Sequence, residues 1–463
     1  MNSPSAPPRS ALSFDTLASE VSKLDQRGSP AYEEARERAI WNKRLDHARA
    51  PDAVLRCTSA DEVAAAIRFA RENGLKVSLR GSGHSYHAAA LCDGGLLLDL
   101  GGLDFVEIDA ENCRARVGPG ARGGDLVEAL AEHGLAFPIG HCATVAMGGF
   151  ILSGGIGWNY GAWGPACRNV AAIELVTAEG EILRVSEDEH ADLFWAARGA
   201  GCSFFAAVTA YELELHKLPE AAWLWTASFT AESAPALADW LTAATAASHP
   251  ASEIMCLVGP DFKSGEPSIT IRAVGIGESE EQAQDRVSSF HSPPTEAELT
   301  GEPEEKALAF TGLHKLSHMP EGKRVAADQA WCEATMGEML LAVYHLADVP
   351  KRSSTVNLIS PGGNGEIPFM PDAAHTALSA GGGASAGIYA MWNDAEDDAL
   401  HCGWVRDVDA ALAPLRSARY IGEADLTAGP ERLRECFSDS AFARLEDLRR
   451  RFDPERLFQS YGA

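Results

Sequence analysis

The chain has 463 residues, 46% apolar and 23% charged, enough to build a folded core and too many for a single ordinary one, so two or three domains are expected. Its 39 Lys and Arg stand against 66 Asp and Glu, a net charge of −27. This argues against a nucleic-acid partner and against docking on an anionic membrane, since both need a basic face.

The N-terminal residues lack the charged-then-apolar pattern of a signal peptide, and no run of about 18 apolar residues occurs, so a cytoplasmic location is expected. The ten cysteines are scattered without the short spacings of zinc or redox motifs and read as reduced thiols. Periodicity predicts a helix over residues 30–48, a strand at 53–57, a helix over 59–73 with Val63, Ile67 and Ala70 on one face, and a strand at 77–79. That strand runs directly into RGSGHS at 80–85. Short strands follow at 96–100, 105–108 and 114–117, then a helix over 124–133, a stretch at 140–165 rich in glycine and aromatics, and a hairpin of 170–177 with 182–185. From about 218 the pattern changes to longer amphipathic helices and separated strands, at 226–230, 254–258, 268–274, 355–359 and 387–392. This predicts an antiparallel α+β unit. The tail beyond 430 is helical and ends in a capped turn at 453–458. The expected divisions are 1–217, 218–410 and 411–463.

Three glycine motifs compete for a ligand. GPGARG at 118–123 fits GxGxxG, but its preceding strand is Arg-Ala-Arg-Val and no acidic residue lies about 20 positions on, so a plain turn is the better reading than a dinucleotide site. In RGSGHS, Gly81 and Gly83 around Ser82 let successive backbone N–H groups face one side, a nest suited to a pyrophosphate. A tight surface turn explains the same residues equally well. The loop GHCATVAMGGFILSGGIG at 140–157 spends so much conformational entropy on glycine that a ligand lying close to the backbone is the economical explanation. Gly148, Gly149, Ser153, Gly154 and Gly157 are its candidate contacts, although a lone Cys142 is more often a small buried apolar group. No GxSxG elbow, HExxH or paired-carboxylate helix is present.

Taken in order, Trp41-Asn42, RGSGHS, GPGAR, the Cys142 loop, VTAEG at 176–180, DLFWAARG at 192–199, Val208-Thr209, Tyr420 and FDPERLF at 452–458 resemble the FAD-binding domain of the vanillyl-alcohol oxidase superfamily, in its berberine-bridge-enzyme-like branch. The resemblance implies a two-subdomain FAD-binding fold of the p-cresol methylhydroxylase (PCMH) type plus an antiparallel-sheet substrate domain covered by helices. It implies that His84 carries FAD through the 8α-methyl group, that Cys142 adds a second bond to the flavin ring, and that Arg80, Gly81, Ser82, Gly83, Ser85, Val145 and Val208 line the cofactor. Residue chemistry is compatible, because a neutral imidazole or a thiolate can attack an electron-poor flavin. The sequence departs from the family at Phe150, where histidine is usual, and at Gly422, where the family's Tyr-x-Asn has its amide.

Tyr420 is the leading candidate base, with Tyr389 beside it. Tyr389 and Trp392 lie on opposite faces of one strand, and Trp158, Tyr160, Asn357 and His375 complete the expected substrate pocket. Val145, three residues after Cys142, is a position whose small side chain goes with oxidases in the resembled branch. The expected partners are therefore a small molecule, an alcohol, sugar or secondary metabolite, and oxygen, in a monomer or homodimer. A dehydrogenase or oxidative cyclase of the same fold, and a flavin-free scaffold, are the alternatives.

Overall fold

The computed structural model describes residues 13–45, 49–261, 264–318, 320–350, 354–363, 372–381, 383–429 and 431–459. Three sheets organise it. The first has the order Leu24–Gln26, Ala53–Arg56, Leu96–Asp99, Val77–Arg80, and its last three strands are parallel. Parallel strands are covered on both faces, which is why Leu96, Leu97 and Leu98 are all fully buried. Helix Ala60–Glu72 crosses between two of these strands, capped by Ser59, whose hydroxyl accepts from the Glu62 N–H, and it buries Val63, Ile67 and Ala70. The second sheet is antiparallel, Val106–Asp109, Arg114–Val117, Ala207–Glu214, Val170–Val176, Ile182–Ser186. It shares a hydrophobic core with the first.

The third sheet has eight antiparallel strands in the order Glu304–Leu308, Ala221–Thr230, Pro267–Gly277, Ser252–Pro260, Thr355–Pro361, Ala384–Trp392, Arg324–Cys332, Arg416–Ala418. Helices Ala234–Ala247, Met336–Val343 and Asp398–Leu412 pack on one face, where Val356, Leu358, Ala386, Ile388 and Ala390 form a second core with them. The opposite face is left to a cavity. The α+β architecture and the antiparallel, helix-covered third sheet match the sequence expectation. No helix among the described residues is long and apolar enough to cross a membrane.

Several elements depart from the sequence reading, among them the short edge strands Leu24–Gln26, Glu304–Leu308 and Arg416–Ala418, which were not expected. The helix expected over 30–48 runs only from Pro30 to Arg38, and positions 46–48 lie outside the described residues. It stops because Asn42, 1% exposed, is committed elsewhere: its amide donates to Tyr86 O and Val325 O, and its carbonyl accepts from the Val325 N–H. Strand Arg324–Cys332 was not expected, since Asp328-Gln329 interrupts its apolar pattern. Pro430, where the helical tail was expected to begin, also lies outside the described residues, but helix Asp439–Phe452 follows, and Asp453 caps the last turn by accepting from the Leu457 and Phe458 N–H groups. Phe458 then bridges to Val77, which returns the C-terminus to the first sheet.

Asp328 is fully buried at the centre of an ion network. Arg419, also fully buried, bonds Asp328 at 3.1 Å and Asp409 at 3.0 Å and reaches Glu435, while Arg432 bonds Asp328 and Asp409 at 3.1 and 3.0 Å. The next residue along each chain continues the link, with the Tyr420 N–H donating to Gln329 Oε1 at 2.7 Å. Removing one member leaves uncompensated buried charge. Arg419→Ala should therefore destabilise the protein by ~3–5 kcal/mol. A thermal or urea unfolding midpoint indistinguishable from wild type would show that the network carries no such strain.

Candidate functional site

A cavity of about 500 Å³ runs between the first two sheets and the bare face of the third. Strand Val77–Arg80 delivers residues 81–85 to its wall, and the loop before helix Met147–Leu152 delivers Cys142 and Val145 to the same wall. Backbone contact at this end is close. A Cβ on Gly81 would meet Pro119 O at 3.4 Å and the Ala146 methyl at 3.5 Å, and one on Gly148 would meet Pro119 at 2.9 Å. Gly149, by contrast, has nothing within 4 Å of where a Cβ would stand. Gly83 has φ +77°, in the left-handed region that glycine adopts without strain. Ser82 Oγ accepts from the Ala146 N–H at 2.9 Å and so ties the two loops together. Arg80 is held by Asp99 at 2.7 Å, and its buried Nε has no partner among the described residues. A glycine-walled cleft with an unpartnered guanidinium donor suits an anionic, flat-ended ligand. The GPGARG turn contributes Pro119 to this wall, without any Rossmann geometry.

His84 and Cys142 face each other through one hydroxyl. Thr144 Oγ1 lies 3.0 Å from His84 Nε2 and 3.4 Å from Cys142 Sγ. Burial, aided by Arg122 and Arg80, holds the His84 imidazole down to about 4, so it is neutral at physiological pH. That leaves Nδ1 as the ring nitrogen not engaged by Thr144.

The far end is built by the third sheet and the segment after it. Gln329, Trp331, Asn357, Ser385, Tyr389 and Met391 present their side chains there from alternate positions of neighbouring strands. A Cβ on Gly387 would lie 2.4 Å from the Tyr389 hydroxyl, so the glycine leaves room for that ring to lie flat. Tyr389 donates to Glu423 Oε2 at 2.9 Å and stacks obliquely on Tyr86 at 5.7 Å, which in turn meets Trp41 at 5.5 Å. Tyr420 Oη accepts from the Gly155 N–H at 3.2 Å, and its ring lies over Gly422, where a Cβ would stand 2.6 Å from Cε1. Burial first, then Glu423, pushes both the Tyr389 and Tyr420 phenols up, so both are protonated at physiological pH. Burial also raises Glu423 above the usual carboxylate range, against the pull of Tyr389 and His141. His141 Nε2 sits 2.6 Å from Glu253 Oε1; burial would lower that imidazole, but Glu253 outweighs it and the net shift is upward.

Of the residues singled out from sequence, His84, Cys142, Arg80, Gly81, Ser82, Gly83, Ser85, Val145, Gly148, Gly149, Ser153, Val208, Tyr389, Asn357 and Tyr420 border this one cavity. The others do not. Gly154 and Gly157 are glycines because chain packs on chain: Cβ atoms there would stand 2.9 Å from the Leu378 side chain and 2.0 Å from Ile139 O. Trp158, 2% exposed, backs the His141 ring at 4.7 Å, and Tyr160 is equally buried at the start of helix Tyr160–Trp163. Trp392 takes the helix side of its strand, stacking on His401 at 4.7 Å and donating to Asp398. His375 is on the surface, paired with Asp372 at 2.6 Å. Thr144, Tyr86, His141, Glu253 and Glu423 were missed. Only Thr144 and His141 had a sequence signal, their position within the Cys142 loop.

Comparison with known proteins points to an FAD-binding domain and a shared fold. A family model described as an FAD binding domain matches residues 51–186. The chain is 42% identical over 180 residues to (R)-6-hydroxynicotine oxidase of Paenarthrobacter nicotinovorans, a match that spans 39% of each chain, so about two fifths of that relative's length. The crystal structure of 6-hydroxy-D-nicotine oxidase from Arthrobacter nicotinovorans superposes with a TM-score of 0.82 at 25% identity, covering 95% of this chain and 97% of the other. BBE-like 1 of Physcomitrella patens shares the fold, with a TM-score of 0.84 at 19% identity, over 97% and 98% of the two chains.

The depressed histidines make stability pH-dependent in a defined direction. His87, buried beside the same loop, is also held down to about 4 by burial. Below the ordinary histidine value of 6.5 the unfolded chain takes up protons at His84 and His87 that the folded chain refuses, so stability present above 6.5 is lost as pH falls towards about 4. Flavin-free protein should show an unfolding midpoint that drops across this window, and His87→Gln should flatten the drop. An identical slope in the variant would contradict the assignment.

Proposed function

Because the chain belongs to the vanillyl-alcohol oxidase and PCMH-type FAD-linked oxidoreductases, in their berberine-bridge-enzyme-like branch, we propose that it is an oxidase carrying FAD on both His84 and Cys142, which takes a hydride and a proton from a small molecule and passes the electrons to oxygen, forming hydrogen peroxide. One observation carries this reading: Thr144 joins His84 and Cys142 on one wall of a cavity whose opposite wall holds the Tyr389–Glu423 pair. When bound, FAD supplies the hydride acceptor and the route of the electrons to oxygen.

The chain's own residues supply the rest. Thr144 engages His84 at Nε2 and leaves Nδ1 for the 8α-methyl group, while a neutral imidazole is the nucleophilic form. Gly81, Gly149 and Arg80 hold the anionic part of the cofactor. Val145, small and on the cavity wall next to Cys142, leaves space for oxygen.

Proton removal from the substrate needs a base, and an isolated buried phenol is a poor one. Tyr420 has its oxygen committed to the Gly155 N–H and no carboxylate within hydrogen-bond reach in the described structure. Tyr389 is backed by Glu423, so a proton gained at the phenol oxygen is matched by the one that passes to the carboxylate. We assign the base to Tyr389 with Glu423, and to Tyr420 the role of a wall that holds the Gly155 turn in place.

Acid precipitation tests attachment. Yellow colour should stay in the wild-type pellet and move to the supernatant only when His84→Ala and Cys142→Ala are combined; release from wild type would refute covalent binding. Anaerobic reduction followed by air should give rapid reoxidation with peroxide, whereas a reduced flavin that persists in air would make the protein a dehydrogenase. Glu423→Gln should lower the rate of flavin reduction ~10²-fold, within the range general bases supply. It should also abolish an acid limb lying above the ordinary carboxylate value of 4.5. Tyr420→Phe should leave that limb in place.

A further inference from the structure

Arg272 differs from the other arginines in what it lacks. Among the described residues it is the one arginine partly shielded from water whose guanidinium makes no hydrogen bond and no ion pair. Burial lowers its pKa and no carboxylate pulls the other way, yet an arginine stays charged at physiological pH. In a chain with 66 acidic and 39 basic residues, such a half-buried cation without a counter-ion has its donors open to a ligand.

Strand alternation sets its direction. Ile271 and Ala273, on either side of it, belong to the core under the helices, so Arg272 takes the opposite face of the third sheet, the one that borders the cavity. Register then fixes its neighbours. Directly opposite Arg272 stand Thr226 on one strand and Met255 on the other, and the row continues from Met255 through Ile359 and Ser385 to Trp331. Those last four residues all border the cavity, so Arg272 lies one strand spacing, about 4.8 Å, beyond its margin. The half-buried Thr226 hydroxyl also makes no hydrogen bond among the described residues, which sets an open guanidinium beside an open hydroxyl. Two acids share this face. Glu253, diagonal to Arg272, is engaged by His141, and Glu304, opposite Thr226 on the edge strand, is exposed.

The donor set selects the ligand. A single guanidinium offers two parallel N–H groups that match a planar carboxylate, and its one charge balances one negative charge. A dianionic phosphate would call for more cations than this face provides, with Glu253 and Glu304 opposing it. We propose that Arg272 and Thr226 form a carboxylate subsite, which holds the distal end of an elongated substrate whose oxidisable end lies in the cavity. This deepens the oxidoreductase reading above and rests on it. Three strand spacings, about 14 Å, separate Arg272 from Tyr389 across the sheet, so the acid group and the reacting carbon are at least that far apart. Met255 and Ile359 lie between them and offer apolar contact to the body of such a molecule. The subsite thus selects by charge and length, away from the reacting atoms.

The test titrates the purified yellow protein with 8-phenyloctanoate, its neutral amide 8-phenyloctanamide and 8-phenyloctylphosphonate, by calorimetry and by the change in flavin absorption. The carboxylate should bind at least ~10-fold more tightly than the amide, the effect of one charge-assisted hydrogen-bonded pair, and should perturb the flavin spectrum. Arg272→Gln should lower the affinity for the carboxylate ~10-fold and leave that for the amide within about 2-fold, and Arg272→Lys should restore part of the preference. Thr226→Val gives a further variant should the arginine variants fail to fold, with a loss of about 3-fold for the carboxylate. Equal affinities for acid and amide in the wild type, or a preference that survives Arg272→Gln, would overturn the proposal. Tighter binding of the phosphonate than of the carboxylate would overturn the ligand class, and binding that leaves the flavin spectrum unchanged would place the probe outside the cavity and do the same. A yellow protein without the preference loses this proposal alone, whereas a colourless preparation loses the oxidoreductase reading and the proposal with it.

Discussion

The buried contact between Asp328 and Arg419 is the constraint on which the far end of the cavity depends. A charge at this depth is tolerated only when every partner is present, and here Asp328, Asp409, Asp425 and Glu435 are matched by Arg406, Arg416, Arg419 and Arg432. Such a network adds little net stability. Its effect is positional. Arg419 fixes the chain just before Tyr420, and the Asp425 N–H donates to Asp328 Oδ1 just after Glu423, so the short segment between is held at both ends. Tyr420 and Glu423 reach the cavity because that segment cannot slide along the edge of the sheet.

Everything else at this end follows from the twofold alternation of the third sheet. Odd-numbered positions of Ala384–Trp392 look into the cavity, and even-numbered ones pack on helices. Tyr389 and Trp392 are three residues apart and so necessarily on opposite sides. The helices matter for the chemistry only indirectly: by burying one face they prevent a slip in register that would exchange the two sets of side chains.

The opposite wall solves a different problem, the binding of an anionic cofactor by a protein of net charge −27. Long-range attraction is unavailable, so an anionic cofactor would have to be held by short-range contacts, for which this wall offers glycine backbone at 81 and 149, one arginine neutralised on its outer side by Asp99, and the His84 and Cys142 side chains joined through Thr144.

Local signals were legible wherever function rests on contiguous residues. RGSGHS after a strand, the Cys142 loop, the capped helix over 60–72 and the hairpin of Val170–Val176 with Ile182–Ser186 all follow from neighbours in sequence, because turn geometry, capping and strand alternation act over a few residues. The glycines divided in a way no pattern reveals: Gly149 opens onto the cavity, while Gly154 and Gly157 merely let one chain pass another. Glu423, Glu253, His141 and Tyr86 come from four separate segments, and Asp328 looked like an interruption in an apolar run rather than the centre of a core. The sequence by itself therefore determined the α+β architecture and the pair His84 and Cys142. Which acid stands behind which tyrosine, and which face of a strand meets the cavity, was decided only in the tertiary structure, because the contacts of this site join residues far apart along the chain, 34 positions for Tyr389 and Glu423, 112 for His141 and Glu253 and 265 for Gly155 and Tyr420.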